Sequence, residues 1–380
     1  MSSVEETVMA RYAEGAIQRE ESLCCPVDYD SSLLKLLPDE IIDKDYGCGD
    51  PSGYVREGDV VLDLGSGGGK ICYMTAQLVG EGGRVIGVDM TDEMLELARK
   101  YQAEMAQKLG SDRVEFKKGF IQDLALDVDA MEAYLEANPV RSSDDLLRLD
   151  EWKSAQRTSR PLIGSNSIDL VISNCVLNLV ANADRQQLIE EIFRVLRPGG
   201  RVAISDIISD EKVPQALQQD PVLWSGCLSG AFQEKEFLDA FLGAGFVTVG
   251  YDKWEPQPWQ VVDDIEFRSV VLMAVKPSAS DCMDTGQSVI YKGPYSQVED
   301  DEGHVFPRGE RMAVCERTFT FLTEGPHQSD FIGINPKTPK PAVNFCVPAG
   351  TVRPVRETRG GSQIVSGSET CCAPGDSDCC

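Results

Sequence analysis

The amino-acid sequence predicts an α/β fold organised around a β-sheet of seven strands, most of them parallel. Short runs that are almost wholly apolar recur along the chain, as expected for strands buried on both faces of such a sheet. Helical segments alternate with these runs, and glycine-rich turns punctuate them. The predicted strands are residues 60–64, 84–88, 114–116, 168–173, 201–205, 246–251 and 267–275. We therefore expect ligands to bind outside the carboxyl ends of the parallel strands.

The first strand leads directly into a glycine turn and a helix. Residues 60–64 read VVLDL, residues 65–69 read GSGGG, and residues 70–78 have a helical pattern. Glycines allow a tight turn and let the backbone approach a ligand without a Cβ atom in the way. This arrangement predicts a nucleotide-type cradle.

Acidic residues at the ends of the first two strands indicate which nucleotide-type ligand the cradle holds. Asp63 lies just before the turn, where its charge would repel a pyrophosphate but would attract an ammonium and a sulfonium. S-adenosylmethionine carries both cations. Asp89 ends the second strand, where an acidic side chain can hold ribose hydroxyls. A phosphate-binding P-loop is excluded because Leu64 and Ile71 stand where that motif requires Gly and Ser or Thr.

Charge and hydropathy restrict the classes of partner. The chain of 380 residues has 62 acidic and 36 basic side chains, for a net charge of −26. Such a charge opposes binding to nucleic acid or to an anionic membrane surface. The first residues have no apolar signal-like segment, and no apolar run approaches the length of a membrane span. We expect a soluble, cytoplasmic monomer.

Composition divides the chain into four regions. The predicted regions are an N-terminal helical and loop cap at 1–57, a main α/β domain at 58–277 with a helical insertion at 125–166, a small β-rich domain at 278–332, and a flexible cysteine-rich tail at 333–380. Cys48 lies in a glycine-rich loop of the cap, just before the first strand.

Three cysteines follow predicted strand ends or can fold over the same edge. Cys72 lies in the first turn of the helix after the glycine turn, where the helix N-terminus favours a thiolate. Cys175 follows the fourth strand, and Cys227 lies in the segment GCLSGA. A single cysteine is most often a small core residue, but three converging on one edge indicate binding of a soft, thiophilic substrate or ion. The spacing does not supply the four ligands that structural zinc requires.

Five motifs resemble those of the arsenite S-adenosylmethionine methyltransferases, across residues 46–276. They are DYGCG, DLGSGGGKICY, GVDMTDEM, SNCVLNL and GCLSGA. The resemblance implies a class I methyltransferase (Rossmann-like) fold and S-adenosylmethionine as the cofactor. It further implies that methyl groups are transferred to thiol-bound As(III), in the detoxification of arsenite and methylated trivalent arsenicals.

The resemblance also implies roles for particular residues. Trivalent arsenic is bound by Cys72, Cys175 and Cys227, and Cys48 is the redox partner of Cys72 between methylations. Thioredoxin or glutathione then reduces the resulting disulfide. The positions that correspond to the cofactor site are Asp63, Gly65, Ser66, Gly67, Gly69, Asp89, Met90, Ile121, Gln122 and Asn174.

Two other functions remain open from the sequence. A methyltransferase for a quinone or another small carbon acid would use the same cradle, with the cysteines incidental. A soft-metal sequestering protein would instead use the adjacent pairs Cys371–Cys372 and Cys379–Cys380 of the tail.

Overall fold

The computed structural model describes residues 3–18, 27, 29–277, 282–324, 328–338, 340–345, 347–348 and 350–358. The chain divides into two compact units, Met1–Ala279 and Ser280–Cys380. The tail cysteines at positions 371, 372, 379 and 380 lie outside the described residues, so the predictions for them stay predictions. No helix in the described ranges is both long and apolar enough to cross a membrane.

A single mixed β-sheet forms the centre of the first unit. Its strands are β1 (Val60–Leu64), β2 (Arg84–Asp89), β3 (Val114–Lys118), β4 (Ile168–Asn174), β5 (Leu196–Ser209), β6 (Phe232–Gln233), β7 (Val247–Trp254), β8 (Gln260–Val262) and β9 (Ile265–Val275). The main path has the order β3-β2-β1-β4-β5-β9-β7. Strands β1 to β5 are parallel, and β9 is antiparallel to both β5 and β7. The predicted seven-stranded sheet is confirmed, with the short strands β6 and β8 added to it.

Helices cover the sheet and contribute the N-terminal cap. They are α1 (Ser3–Ile17), α2 (Ser31–Leu34), α3 (Asp39–Asp43), α4 (Lys70–Leu78), α5 (Asp92–Lys100), α6 (Gln102–Leu109), α7 (Val128–Ala137), α8 (Ser143–Ser159), α9 (Arg185–Val195), α10 (Gln215–Gln218), α11 (Pro221–Ser225) and α12 (Glu234–Gly243). The segment predicted as a helical insertion contains α7 and α8. Ser142 caps α8 by accepting a hydrogen bond from the amide of Asp145.

The core lies on both faces of the sheet, which explains the apolar strands. Because successive side chains of a strand point to opposite faces, Leu62 and Leu64 of β1 pack with Leu188 of α9. Val61 points the other way and packs in a second cluster with Ile71 of α4. A strand buried on both faces is therefore apolar along its length, except where a polar side chain has a specific hydrogen-bond partner.

The carboxyl ends of β1, β4 and β5 meet at one edge of the sheet. Asp63 lies beside Ile172, and Asn174 lies beside Ser205 in the strand register. Because residues two apart along a strand share a face, Asp63, Asn174 and Ser205 all point to the same face of the sheet. The helices that follow β1 and β4 leave toward opposite faces, so this edge is the switch point at which such sheets bind ligands.

The described residues of the second unit form short strands and two helices. Its elements are β10 (Met283–Asp284), β11 (Ser288–Tyr291), β12 (Gln297–Glu299), β13 (Val305–Pro307), β14 (Met312–Ala313), α13 (Glu316–Glu324), β15 (Phe331–Ile334), β16 (Val343–Asn344) and α14 (Val355–Thr358). β11 is the middle strand of a sheet with the order β14-β11-β15.

Two sequence expectations for this unit are wrong. The region 278–332 is expected to be β-rich, but after the short strand Met312–Ala313 it contains the helix Glu316–Glu324. The tail boundary at Gly333 falls inside β15, because Gly333 pairs with Val289 of β11. The alternation of Thr and Phe in the sequence ERTFTFLTE resembles a strand, yet Phe319 and Leu322 both pack in the core, as residues three apart on a helix do.

Candidate active site

The turn after β1 requires glycine for two different reasons. Gly65, Gly67 and Gly69 all have left-handed backbone conformations, with φ of +68°, +50° and +87°. A Cβ atom on Gly65 would lie 2.5 Å from a Cγ atom of Val176, so the close approach of the turn to the β4 loop depends on its absence. A Cβ atom on Gly67 would meet no protein atom closer than 3.9 Å, because this position faces open space.

Asp89 is held in place by the backbone of the same turn. Its Oδ2 atom accepts a hydrogen bond from the amide of Gly67 at 2.9 Å, and its Oδ1 atom accepts one from Thr91 at 2.8 Å. Burial raises the pKa of Asp89, and the hydrogen bonds from these two amides partly offset that increase. The carboxylate is thus fixed at the end of β2, directly beside the cradle.

Asp63 is a buried carboxyl in contact with a thiol. The Sγ atom of Cys72 donates to Oδ2 of Asp63 at 3.2 Å. Burial raises the pKa of Asp63 to about 7, the hydrogen bond from Cys72 lowers it, and Asp45 and Asp89 raise it further. A cation in front of this carboxyl would relieve the cost of ionising it.

A cavity of about 110 Å³ opens in front of these residues. Nine of the ten positions predicted for the cofactor line it: Asp63, Gly65, Ser66, Gly67, Asp89, Met90, Ile121, Gln122 and Asn174. Gly69 is the exception: it immediately precedes α4, and a Cβ atom there would lie 2.8 Å from the ring of Phe116. The hydroxyl of Ser66, a cavity-lining residue, is buried and has no hydrogen-bond partner among the residues that the structure describes. A polar group of a ligand in the cavity would supply the missing hydrogen bond to the Ser66 hydroxyl. S-adenosylmethionine carries such groups, so the lining residues fit the predicted cofactor.

Cys48 lies beside Cys175 at this edge of the sheet. Asn174 accepts hydrogen bonds at Oδ1 from the amides of Cys48, at 2.9 Å, and of Gly49, at 3.0 Å. The ligand atoms of Cys48, Cys175 and Asp206 lie within 4.8 Å of one another, and all three residues are buried. Cys175 also lines the cavity. Two sulfur atoms therefore lie together next to the predicted methyl-donor site.

Cys175 and Cys227 share an uncommon backbone conformation and contact each other. Each has a φ of +63°, a backbone conformation that residues other than glycine rarely adopt. The Sγ atom of Cys227 donates to the carbonyl oxygen of Cys175 at 3.1 Å. Strained backbone of this kind persists only where the surroundings impose it, and it concentrates at functional sites.

A buried network centred on Asn178 imposes that geometry. Its Nδ2 atom donates to Oδ1 of Asp206 at 2.7 Å, to the carbonyl of Ile207 at 2.6 Å and to the carbonyl of Cys227 at 3.4 Å. Asp206 in turn accepts the amide of Leu177 at 3.0 Å. Burial raises the pKa of Asp206 to about 7, against the lowering effect of these amides. The loops that carry the two cysteines are thereby fixed to each other.

Cys72 occupies a different environment from the other predicted arsenic ligands. It is fully buried in the apolar cluster between α4 and the sheet, and it is not part of the Cys48, Cys175 and Asp206 group. Burial raises its pKa, and the Asp63 carboxyl raises it further. The expectation that the helix N-terminus favours a Cys72 thiolate is therefore wrong for this conformation. The first turn of α4 points its side chain under β1 instead of over the strand ends.

The N-terminal helix α1 contributes residues that the sequence analysis missed. Val8 and Tyr12 line the cavity. Burial raises the pKa of Tyr12, as do Cys227 and Cys175, and its hydroxyl is hydrogen-bonded to Cys227. Arg11 donates to Ser225 Oγ at 2.6 Å, which attaches α1 to the loop before Cys227. The one-turn spacing of Val8 and Tyr12 predicts a buried helix face, and this N-terminal cap is expected to cover the cofactor, but the spacing does not indicate a contact between Tyr12 and Cys227.

Comparison with known proteins agrees with this geometry. A family described as "Methyltransferase domain" matches residues 56–141 and 143–245, and a "Domain of unknown function (DUF8838)" matches residues 278–363. Together with the sheet order and the glycine cradle, this match defines a class I methyltransferase that uses S-adenosylmethionine.

The relatives narrow that class. The arsenite methyltransferase of Aquipseudomonas alcaligenes is 31% identical over 333 residues, which cover 82% of this chain and 85% of the relative. The arsenite methyltransferase of Mus musculus is 31% identical over 80% of this chain and 74% of its own. The crystal structure of CrArsM, an arsenic(III) S-adenosylmethionine methyltransferase from Chlamydomonas reinhardtii, matches with a TM-score of 0.57 and 30% identity, covering 84% of this chain and 99% of that one. The chain belongs to the arsenite methyltransferase family.

Proposed function

We propose that this protein methylates As(III) held by the thiolates of Cys175 and Cys227, with Cys48 and Cys72 supplying the electrons that keep arsenic trivalent. The observation that carries the proposal is the contact between Cys175 and Cys227, both in left-handed conformations, with Cys175 at the wall of the cofactor cavity. Thiolates are the ligands that a soft centre such as As(III) selects.

In this proposal, different cavity residues hold different parts of S-adenosylmethionine. Asp89 would hold the ribose hydroxyls, Asp63 would hold the cationic amino-acid end, and Met90 and Ile121 would contact the adenine. When bound, this cofactor supplies an electrophilic sulfonium methyl group. The proposal includes exclusion of water from the filled cavity, so that no other nucleophile competes with arsenic for the sulfonium methyl group.

Arsenite binding requires that As–O bonds be exchanged for As–S bonds. Each thiol that binds replaces one hydroxide of As(OH)3, and the thiol proton leaves with that hydroxide as water. The Tyr12 hydroxyl, which is hydrogen-bonded to Cys227, can relay this proton: it donates its own proton to the departing hydroxide and takes the Cys227 thiol proton in return. Binding to two fixed sulfur atoms directs the arsenic lone pair, and this positioning lowers the barrier to methyl transfer.

Methyl transfer uses the arsenic lone pair and leaves arsenic formally pentavalent. Two protein thiols can return the electron pair to arsenic, forming one disulfide and releasing two protons. We assign this step to Cys48 and Cys72. Their anchors Asn174 and Asp63 lie on the same face of β4 and β1, and Cys48 is carried by a loop. Restoring the thiols needs thioredoxin or glutathione, so the proposal places the enzyme in the reducing cytoplasm, where it detoxifies arsenite.

One chain supplies every residue of this site, so the proposal includes activity as a monomer. The decisive experiment replaces Cys175 and Cys227 by serine, one at a time. Each protein is incubated with arsenite, a thiol reductant and S-adenosylmethionine, and methylarsenicals are quantified by chromatography with mass detection. We expect methylation to fall at least ~100-fold, because the loss of one thiolate removes both affinity and positioning.

The matched control is Cys282→Ser, which removes a thiol from the second unit and should leave methylation unchanged. Cofactor binding, measured by calorimetry, should be retained in all three variants. Near-normal methylation by either the Cys175→Ser or the Cys227→Ser variant would contradict the proposal and favour a carbon-methyltransferase function.

A further inference from the structure

The second unit contains a pair of cysteines that the methylation site does not use. Cys282 lies just before β10, and Cys315 lies just before α13, so the two residues come from separate parts of the unit. Their side chains are hydrogen-bonded to each other. Cys282 is partly exposed, whereas Cys315 is buried. The pair thus has one sulfur at the surface and one below it.

The surroundings hold both cysteines in place. The Sγ atom of Cys315 lies 3.3 Å from the hydroxyl of Thr318 and accepts a hydrogen bond from the Thr318 amide at 3.5 Å, as a helix-capping group does. At the second cysteine, the carbonyl oxygen of Cys282 accepts a hydrogen bond from the amide of Phe345 at 2.5 Å. The backbone on each side is anchored, so the two sulfur atoms are already positioned close together.

A cationic group lies next to the two thiols. Arg317 interacts electrostatically with both Cys282 and Cys315, and it pairs with Glu302. Its Nε atom is buried and has no hydrogen-bond partner in the described part of the protein. Burial raises the pKa of Cys282, and Arg317 acts in the opposite direction. The guanidinium would stabilise thiolate character when the pair binds an electrophilic centre.

We propose that Cys282 and Cys315 form a second, two-thiol binding site for trivalent arsenicals. Binding of As(OH)3 forms two As–S bonds, breaks two As–O bonds and releases two waters, each made from one thiol proton and one hydroxide. Arsenic stays trivalent throughout, so the step needs no oxidant or reductant. Two thiols without histidine suit a three-coordinate soft centre that keeps one exchangeable ligand, whereas structural zinc requires four ligands.

Phenylarsine oxide is the probe, because it bridges two neighbouring thiols. In the full-length, unmodified protein we expect it to protect Cys282 from alkylation by iodoacetamide, as measured by peptide mass spectrometry. The protection should be reversed by 2,3-dimercaptopropanol. It should be lost in Cys315→Ser, because a single remaining thiol holds the arsenical weakly. Protection that persists in Cys315→Ser would overturn the proposal, as would the absence of protection in the unmodified protein.

A second measurement counts bound arsenicals by intact mass spectrometry. It uses the full chain with Cys371, Cys372, Cys379 and Cys380 replaced by serine. Adding Cys282→Ser and Cys315→Ser should remove one bound phenylarsine oxide, and arsenite methylation should be retained. Unchanged stoichiometry would contradict the proposal. Loss of the bound arsenical together with methylation in a folded variant would show that this pair belongs to the methylation reaction and would contradict a separate site. If the double variant fails to fold, the alkylation result on the unmodified protein decides.

Discussion

Asn174 holds Cys48 through its side chain: the Oδ1 atom accepts the Cys48 amide at 2.9 Å and the Gly49 amide at 3.0 Å. Asn174 also lines the cofactor cavity, at the end of β4. One side chain therefore connects the wall of the proposed methyl-donor site to the loop that carries Cys48. The net contribution of one hydrogen bond to stability is only about 0.5–1.5 kcal/mol. These two bonds therefore position the loop, but the loop can still be displaced.

Displacing this loop should impair catalysis without unfolding the protein. A Cβ atom on Gly49 would lie 1.9 Å from the hydroxyl of Ser205, so Gly49→Ala must move the loop. We expect arsenite methylation to fall at least ~10-fold, since small misplacement of a catalytic group is costly. Gly53→Ala is the control, because a Cβ atom there meets nothing within 4 Å. Equal activities of the two variants would show that the position of Cys48 does not matter.

Filling the cavity at Gly67 should weaken cofactor binding. A methyl group there projects into the space in front of the glycine turn, and we expect the dissociation constant for S-adenosylmethionine to rise at least ~10-fold, or about 1.4 kcal/mol. Gly58→Ala is the control, because Gly58 also has a positive φ but a Cβ atom there meets no atom within 4 Å. Calorimetry compares them. A similar affinity in both variants would place the cofactor elsewhere.

Cofactor affinity should depend on pH through Asp63. Its raised pKa of about 7 means that the carboxyl of the free protein becomes neutral as the pH falls below 7. A neutral carboxyl no longer attracts the cationic end of S-adenosylmethionine, because protons compete with the ligand for the same charge. We expect the dissociation constant to rise by up to about tenfold per unit below pH 7. In Asp63→Asn, binding should be weak and this dependence should disappear; if the dependence persists there, another group is responsible.

The Asn178 network should be essential for stability. Asn178→Ala removes the buried side-chain hydrogen bonds to Asp206 and to the carbonyl of Ile207 and leaves a cavity, and we expect the free energy of unfolding to fall by roughly 2–4 kcal/mol. Asn182→Ala, on the same segment but exposed, should change it by less than about 0.5 kcal/mol. Urea denaturation measures both. A small effect at Asn178 would show that the cysteine loops are held by other contacts.

The role assigned to Cys72 can be separated from arsenic binding. With enzyme in excess over arsenite, Cys72→Ser should complete the first methyl transfer, because Cys72 lies away from Cys175 in a different cluster. With excess arsenite, further methylation should fall at least ~10-fold, since the proposed disulfide cannot form. Cys315→Ser is the control and should behave normally. Loss of the first transfer as well would make Cys72 an arsenic ligand, as the sequence resemblance implies.

The sequence was most informative where a single local pattern determines the structure. Apolar runs such as residues 60–64 predicted the strands, because a strand buried on both faces needs nothing but apolar side chains. The ten predicted cofactor positions came from the family resemblance, and they lie together because they are at or near strand ends, which all meet at one edge of the sheet. Nine of the ten line the cavity for this reason.

The missed features depend on contacts between distant segments. Tyr12 reaches Cys227 only because α1 packs over the strand ends, and no local pattern reports where a helix docks. Cys72 was placed correctly on its helix, but the direction of its side chain depends on the rotation of α4 against β1. Residues 312–322 alternate like a strand, and only their packing with the rest of the second unit makes part of them helical.

The paired positive φ angles also have an evolutionary consequence. Holding an L-residue in this region costs roughly 1–2 kcal/mol, and only selection for sulfur would retain cysteine at positions 175 and 227 under that penalty. In a lineage no longer exposed to arsenic, glycine or asparagine would be the least strained replacement at both sites. Relatives with Gly or Asn at both position 175 and position 227 should therefore keep the fold but lack arsenite methylation.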